Sequence, residues 1–258
     1  MIYIHPIGGI GNMFFQIASI WTLAKDNGDD LCLLNVQDNI DELISLRNRK
    51  QSTNYFYFLN KFLNKNENIC NSISYTHKYE PLVYKSGYEY VGYFQCEKYF
   101  NHRKNEILEL FNPTEEFTNE VNKYQSLFGN ISLHIRRTDY VGSLVLDVVK
   151  MKYYNDAISM LPKELKILVF SDDIDWCRNN FAGERHVFID EVDYISIYLM
   201  SKMKYHIIAN SSFSWWGAWM SDYQDKIIIA PEQWFGAIYM CDYSDIVPDT
   251  WIKIPNNT

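Results

Sequence analysis

Two kinds of apolar repeat alternate along the chain and predict an α/β fold. Short runs of continuous apolar residues, typical of strands buried on both faces, alternate with stretches whose apolar positions recur at the helical period. The clearest helical pattern runs from Met13 to Lys25, and the clearest strand patterns cover residues 131–136 and 166–170. Buried strands separated by amphipathic helices predict parallel sheets that are covered by helices on both faces.

The alternation is most regular in the second half of the chain. After strand 131–136 it predicts strands at 166–170, 186–189, 205–209 and 226–230, and helices at about 152–161, 173–180, 193–203 and 212–221. In the first half it predicts strands at 1–7, 31–36 and 88–94 and helices at about 13–25 and 97–110, whereas 37–78 has no clear period. Asn112-Pro113 breaks the last helix, so we place a boundary near 111–116, between domains 1–113 and 114–258.

Clusters of polar residues follow several of the predicted strands. Residues 134–139 end one strand, Ser171-Asp172-Asp173 follow the next, and Asn210-Ser211-Ser212 follow strand 205–209. In the first half, the glycine turn 8–12 (GGIGN) joins a strand to a helix, where backbone N–H groups and the helix dipole attract anions. Ligands of open parallel sheets bind beyond the carboxyl ends of the strands. The sequence therefore predicts one cleft lined by all four segments.

Arg136 has the most specific chemistry in these clusters. Because side chains alternate along a strand, His134 and Arg136 share one face, and Ile131, Leu133 and Ile135 share the other. A guanidinium can donate two parallel hydrogen bonds to a phosphate or a carboxylate. For an isolated arginine, a surface ion pair would be the simpler interpretation. The neighbouring polar clusters favour an anion site instead.

Composition narrows the class of protein. The 258 residues carry a formal net charge of −8, which disfavours a protein held on nucleic acid by a basic surface. The five cysteines are scattered, without CxxC or Cys-His spacing, and are expected to be reduced thiols. Because neither a signal peptide nor a long apolar stretch is evident, we expect a cytoplasmic enzyme and leave open a peripheral position at the inner face of the membrane.

Five segments carry a recognisable pattern in a fixed order. They are GGIGNMFFQIA (8–18), HIRRTDY (134–140), FSDD (170–173), IIANSSFSWWGAW (207–219) and APEQWF (230–235). Together they resemble the bacterial-type α-1,2-fucosyltransferases of glycosyltransferase family 11 and, more distantly, α-1,6-fucosyltransferases and protein O-fucosyltransferases. The resemblance spans nearly the whole chain, and NSSFSWWGAW is its most specific part.

The resemblance implies a GT-B-like α/β fold, with two Rossmann-like halves whose parallel sheets face a cleft. It implies inverting transfer of L-fucose from GDP-β-L-fucose to O2 of a terminal galactose on an oligosaccharide or lipid-linked glycan, without a metal or other cofactor. Domain 1–113 would then be the acceptor side, and domain 114–258 would bind GDP-fucose. By the same resemblance Arg136 is catalytic, and donor contacts fall on Gly9, Gly11, Asn12, His134, Arg136, Asp172, Ser196, Ser211, Ser212 and Phe213.

The general base is less well determined by the sequence. Asp139 is our first candidate and Asp147 the second, although Asp139 could instead pair with Arg137 at the strand end. The adjacent acids Asp172 and Asp173 lack the spacing of a DxD metal site. They are expected to cap the following helix or to bond sugar hydroxyls.

Three features depart from the family pattern. Met13 stands where the family usually has Gln after Gly-Asn, and the segment after Asp139 is shorter and lacks a histidine often found there. Ser196 stands where relatives usually carry an acid that, by analogy, holds the guanine, and Asp193 lies one turn earlier. These departures keep other readings open: another linkage such as α-1,6, a different sugar-nucleotide transferase, or a catalytically silent nucleotide- or glycan-binding module.

Overall fold

The computed structural model describes residues 1–36 and 58–256, which form two compact units. The first unit comprises Met1–Asn112 and Cys241–Pro248, and the second comprises Pro113–Met240 and the residues from Asp249 onward. The sequence pattern did not predict that residues 241–248 join the first unit. They are held there because Asp245 accepts a hydrogen bond from the Tyr79 backbone N–H at 3.2 Å and pairs with Lys98.

A parallel sheet forms the centre of the first unit. The elements are β1 (Ile2–Ile4), α1 (Ile10–Asp26), β2 (Leu31–Leu34), β3 (Leu63–Lys65), β4 (Ser72–Ser74), β5 (Glu89–Val91) and α2 (Lys104–Leu110). The strands lie in the order β3-β2-β1-β5-β4, and each pairing is parallel. Helix α1 is buried along most of its length, and its Phe14 stacks on Phe111 with ring centroids 4.1 Å apart.

The predicted helix 97–110 is wrong in its first half. Glu97–Tyr99 and Asn101–Arg103 form separate 3₁₀ turns, and only α2 is α-helical. Between the turns, Phe100 is fully buried and its φ of −139° lies outside the helical region. The Phe100 ring packs near Phe15 of α1, with ring centroids 6.0 Å apart. Burial of this aromatic side chain therefore overrides the local helical preference.

The second unit is also organised around a parallel sheet. Its strands are β6 (Ile131–Ile135), β7 (Ile167–Ser171), β8 (His186–Ile189), β9 (Tyr205–Ile207), β10 (Ile227–Pro231) and β11 (Ile252–Ile254). Its helices are α3 (Glu115–Asn122), α4 (Met151–Ser159), α5 (Ile174–Asn180), α6 (Asp193–Ser201) and α7 (Ser212–Trp219). The strand order is β11-β10-β9-β6-β7-β8, with all pairings parallel.

Strand β6 is the central strand of this sheet. Leu133 lies opposite Val169 on one side and Ile207 on the other. Leu133 and Ile135 share a buried cluster with Tyr153 of α4, as the predicted alternation of faces requires. The residues that directly follow β6, beginning with Arg136, therefore start at the carboxyl end of a strand inside the sheet.

Helices α6 and α7 pack very closely at a glycine. A Cβ atom added to Gly217 of α7 would lie 2.8 Å from the Met200 Cβ of α6, which is closer than real Cβ contacts allow. Trp215 and Trp216, which precede Gly217 in α7, are fully buried. The aromatic run after Ser212 is therefore packing for the helix rather than an exposed stacking surface.

Several short elements were not predicted from the sequence. Strands β3, β4 and β11 have mostly exposed or half-buried residues, so they lack the apolar run that marks the buried strands. Over the described ranges, no helix is long and apolar enough to cross a membrane. In the same ranges, no three His, Cys, Asp or Glu side chains are grouped so as to hold a metal ion.

Candidate active site

Arg136 is the first residue after β6, and its guanidinium contacts two carboxylates. The side chain is only 11% exposed. Its Nη2 lies 2.6 Å from Asp139 Oδ1, and its Nη1 lies 3.3 Å from Asp172 Oδ2. The buried Nε of Arg136 has no hydrogen-bond partner among the described residues. The guanidinium is therefore held by two carboxylates while one donor remains unused.

The two acids differ in how firmly they are held. Asp172 is 6% exposed and accepts the Arg137 backbone N–H at 2.9 Å and the Thr138 hydroxyl. Burial alone would raise the pKa of Asp172, but the Arg136 charge and these hydrogen bonds outweigh it and lower the pKa. The side chain of Asp139 is 44% exposed. Asp172 is thus the buried counterion of Arg136, and Asp139 is the more exposed one.

The same environment acts on the guanidinium. Burial lowers the pKa of Arg136, but the charges of Asp172 and Asp139 outweigh burial, so its pKa is raised overall. The two carboxylates therefore hold the Arg136 guanidinium in its charged form. A permanent positive charge at this position fits an anionic ligand.

Arg137 has separate partners and does not pair with Asp139. Its Nε lies 3.1 Å from Asp173 Oδ2, and its guanidinium stacks on the Trp176 ring at 3.8 Å. Asp173 also caps α5 by accepting the Trp176 backbone N–H at 3.2 Å. The expected cap at Asp173 is present, whereas the alternative pairing of Asp139 with Arg137 is wrong. Side chains alternate in direction after β6, so consecutive arginines reach different acids.

The start of α7 lies beside β6. His134 is buried in β6, and its ring centroid is 5.4 Å from that of Phe213 in the first turn of α7. Ser211 is the N-cap residue of α7, with an extended backbone and no side-chain capping bond, and Ser212 is the first helical residue. The positive end of a helix dipole therefore lies next to β6, the strand that Arg136 directly follows.

Tyr140 and Asn210 join the arginine segment to the serine segment. The buried Tyr140 hydroxyl donates to the Asn210 carbonyl oxygen at 3.0 Å, and the Arg136 guanidinium lies 5.3 Å from the Tyr140 ring centroid. The Asn210 amide nitrogen donates to the carbonyl oxygens of Asp147 at 3.0 Å and Trp234 at 2.9 Å. Asn210 thus ties three segments together. Sequence reasoning placed it in a polar cluster but did not identify this role.

The glycine turn belongs to the first unit and is held by two glutamines that the sequence did not single out. Gln16 of α1 binds both the backbone N–H and the carbonyl oxygen of Ile7, at 2.9 and 3.0 Å. The Gln95 amide nitrogen donates to Asn12 Oδ1 at 2.9 Å. Gly9 is the N-cap residue of α1, whereas Gly11 is buried in its first turn. A donor contact of these residues remains a prediction.

The contacts of Ser196 and Asp147 do not indicate a ligand. Ser196 is buried in α6, and its hydroxyl lies 3.4 Å from the Glu191 carbonyl oxygen. Asp193 begins α6, one turn before Ser196. Asp147 contributes a backbone carbonyl to Asn210, as described above. In the second unit, the structure thus brings together His134, Arg136, Asp139, Asp172, Ser211 and Phe213, whose roles remain predictions.

The chain is similar in sequence to two glycosyltransferases of Escherichia coli and in fold to a fucosyltransferase of known structure. An α-1,2-colitosyltransferase of Escherichia coli is 31% identical over 281 residues, covering 96% of each chain. The O-antigen biosynthesis glycosyltransferase WbnK of Escherichia coli is 36% identical over 192 residues, covering 67% of this chain and 63% of that protein. The crystal structure of NodZ α-1,6-fucosyltransferase soaked with GDP-fucose covers 87% of this chain and 96% of its own, with a TM-score of 0.50 and 12% identity.

These comparisons confirm two predictions. The likeness to the NodZ structure, together with the two parallel sheets, confirms the predicted GT-B-like α/β fold class. The model described as "Glycosyl transferase family 11" matches residues 1–255, which confirms the resemblance found in the five sequence segments. The chain is a glycosyltransferase and belongs to glycosyltransferase family 11.

Proposed function

We propose that this glycosyltransferase moves L-fucose from GDP-β-L-fucose to O2 of a terminal galactose on a glycan, with inversion and without a metal. The donor half of this proposal is carried by one observation, the buried Arg136 guanidinium two residues after His134, whose ring centroid lies 5.4 Å from that of Phe213 in the first turn of α7. The linkage is supported by the identity of 31% to a relative named as an α-1,2-transferase. On this proposal the second unit binds the donor and the first unit binds the acceptor.

Arg136 would act on the departing nucleotide. When the bond between the fucose anomeric carbon and the β-phosphate oxygen breaks, the electron pair stays on the phosphate and its negative charge grows. A preorganised cation and oriented N–H groups stabilise such charge more in the transition state than in the ground state. Arg136 supplies the cation, and the first turn of α7 with Ser211 and Ser212 supplies N–H and hydroxyl donors.

Asp139 would accept the proton of the attacking hydroxyl. In the structure this carboxylate is paired with Arg136 at 2.6 Å, so it faces the cation and not an acceptor hydroxyl. A diphosphate that binds the same guanidinium weakens this pairing and leaves the half-exposed carboxylate available. The acceptor oxygen then attacks the anomeric carbon as GDP departs, and Asp139 takes the proton in a single displacement.

A second donor deserves a direct comparison. The relative that covers 96% of this chain is named as a colitosyltransferase, so nucleotide-activated colitose is the alternative sugar. Both donors would use the diphosphate contacts at Arg136 and would differ only where the sugar ring is recognised. A preference for colitose would therefore change the sugar specificity proposed here and leave the leaving-group chemistry intact.

The test is a transfer assay with and without EDTA. Purified protein is incubated with GDP-fucose and lactose, and the products are analysed for 2′-fucosyllactose and GDP. We expect both products in EDTA, with the α-1,2 linkage assigned by NMR. Formation of an α-1,6 product would overturn the linkage, and loss of turnover in EDTA would overturn metal independence. Binding of GDP-fucose without turnover on any glycan tested would favour a catalytically silent module.

A further inference from the structure

The carboxyl ends of β4 and β5 in the first unit carry a group of aromatic and amide side chains that the donor chemistry does not use. The two strands are neighbours in the sheet, and β5 also neighbours β1, which leads into the glycine turn. The segment Tyr75 to Lys78 follows β4, and the segment Gly92 to Gln95 follows β5. In open parallel sheets, this edge is where ligands bind.

His77 and Tyr93 form a stacked pair at this edge. Their ring centroids are 5.3 Å apart and their planes differ by 22°. Both residues are half-buried, so part of the pair faces solvent. Burial lowers the pKa of His77, so its imidazole is neutral at pH 7. The pair is therefore a rigid, uncharged and amphipathic surface, which suits a neutral sugar better than a phosphate.

The backbone between Tyr93 and Gln95 is strained. Phe94 has a φ of +52°, in the left-handed region that bulky residues rarely adopt, although its side chain is buried. Two residues before Phe94, Gly92 lets the backbone after β4 come close to the backbone after β5. A Cβ added at Gly92 would lie 3.0 Å from the Tyr75 carbonyl oxygen. Strain that the surrounding structure maintains often marks a functional segment. Here it fixes the direction of the two side chains that flank Phe94.

Gln95 adds a hydrogen-bond acceptor. Its side chain is buried, and its amide nitrogen is used by Asn12. Its Oε1 accepts no hydrogen bond from any residue within the described ranges. An unsatisfied buried acceptor destabilises the protein unless a donor is supplied. A hydroxyl of a bound sugar is a donor of the required kind.

We propose that Tyr93, His77 and Gln95 form the acceptor subsite, binding one neutral pyranose ring of the glycan. The apolar C–H face of the sugar lies on the side of the Tyr93 ring that His77 leaves uncovered, and a sugar hydroxyl donates to Gln95 Oε1. This assignment rests on the proposed function for the identity of the reaction, and it adds the residues that recognise the acceptor. Lys78, the nearest cation in sequence, is paired with Asp242 at 3.1 Å, in keeping with an uncharged ligand.

Tyr93 variants test the subsite. Tyr93→Leu keeps apolar volume without an aromatic face, Tyr93→Phe keeps the ring, and Tyr88→Leu changes a half-buried tyrosine before the opposite end of β5 as a matched control. We expect Tyr93→Leu to raise KM for lactose about tenfold, as loss of one stacking contact predicts, with KM for GDP-fucose unchanged. Tyr93→Phe and Tyr88→Leu should stay near wild type. An unchanged lactose KM in folded Tyr93→Leu would overturn the subsite while leaving the proposed function standing.

A binding measurement separates the two proposals. Saturation-transfer NMR with lactose and methyl β-galactoside reports acceptor binding without any turnover. If the wild-type protein transfers no fucose, the proposed function fails, and a galactoside signal that is lost in Tyr93→Leu still supports the subsite. If the wild-type protein gives no signal with either galactoside, or the variant gives the same signal, the subsite assignment is wrong. Circular dichroism and thermal unfolding confirm that each variant is folded.

Discussion

Arg136 and Asp139 form an ion pair at the end of β6, with Nη2 2.6 Å from Oδ1. The pair occupies the site where we expect a diphosphate, so the protein holds its own carboxylate against the cation when no ligand competes. Asp172 completes the balance from the buried side. The two carboxylates fully compensate the guanidinium, which limits the cost of burying its charge, and an anion can take up the cation only by displacing one of them.

The first prediction concerns the shape of the cation at position 136. Arg136→Lys keeps the charge but loses the planar fork, so we expect kcat/KM to fall by about 10²-fold or more. Arg137→Lys is the matched control, because Arg137 is directed to Asp173 and Trp176 instead. Steady-state kinetics with GDP-fucose and lactose measure both. Wild-type turnover in Arg136→Lys would remove the assignment.

The second prediction separates binding from catalysis at Asp139. Asp139→Asn removes a carboxylate that competes with phosphate for Arg136, so GDP should bind more tightly, by up to about fivefold for a partly exposed pair. If Asp139 is the base, turnover should fall by about two to four decades. Isothermal titration with GDP and steady-state kinetics measure the two effects. If turnover falls in Asp147→Asn instead, Asp147 is the base.

The third prediction concerns the hydrogen bonds by which Asn210 joins three segments. Asn210→Asp replaces an amide donor with a carboxylate that faces two carbonyl oxygens, so we expect the free energy of unfolding to fall by at least about 2 kcal/mol. Tyr140→Phe is the milder comparison. It removes a single hydrogen bond to the Asn210 carbonyl and should cost about 1 kcal/mol. Urea unfolding measures both changes. Equal stability of Asn210→Asp and wild type would show that the side-chain hydrogen bonds of Asn210 do not stabilise the fold.

The fourth prediction concerns pH. His206 is fully buried, with Nδ1 2.9 Å from the Ser132 hydroxyl. Burial and the nearby Lys226 charge lower its pKa to about 3. In the unfolded chain, His206 takes up a proton as the pH falls through about 6.5, whereas in the folded chain it stays neutral down to about pH 3. The free energy of unfolding should therefore fall as the pH drops from about 6.5 towards 3.

A variant isolates the His206 contribution. His77, whose pKa burial also lowers, acts in the same direction, and Asp172 contributes only at lower pH. The comparison is therefore between wild type and His206→Gln by urea unfolding from pH 4.5 to 7. The slope of stability against pH should be smaller in the variant. A slope that is unchanged would show that His206 is already protonated in the folded protein.

The sequence by itself determined the class of fold, most of the second sheet and the segments that matter. The alternation of buried strands and amphipathic helices is a local property, so it predicted β6 to β10 without any knowledge of distant contacts. The family segments likewise placed Arg136, Ser211 and Ser212 together before any distance was known. Short strands such as β3 and β4 carry too few buried residues to be recognised in this way.

Only the tertiary structure decided which partners the site residues have. Asp139 could pair with either arginine by sequence, and the direction of each side chain after β6 assigns it to Arg136. The bonds of Asn210 to residues 147 and 234 join segments far apart in the chain, as does the bond of Gln95 to Asn12. Such contacts depend on how loops from separate strands pack against each other, and a local apolar period carries no information about that packing.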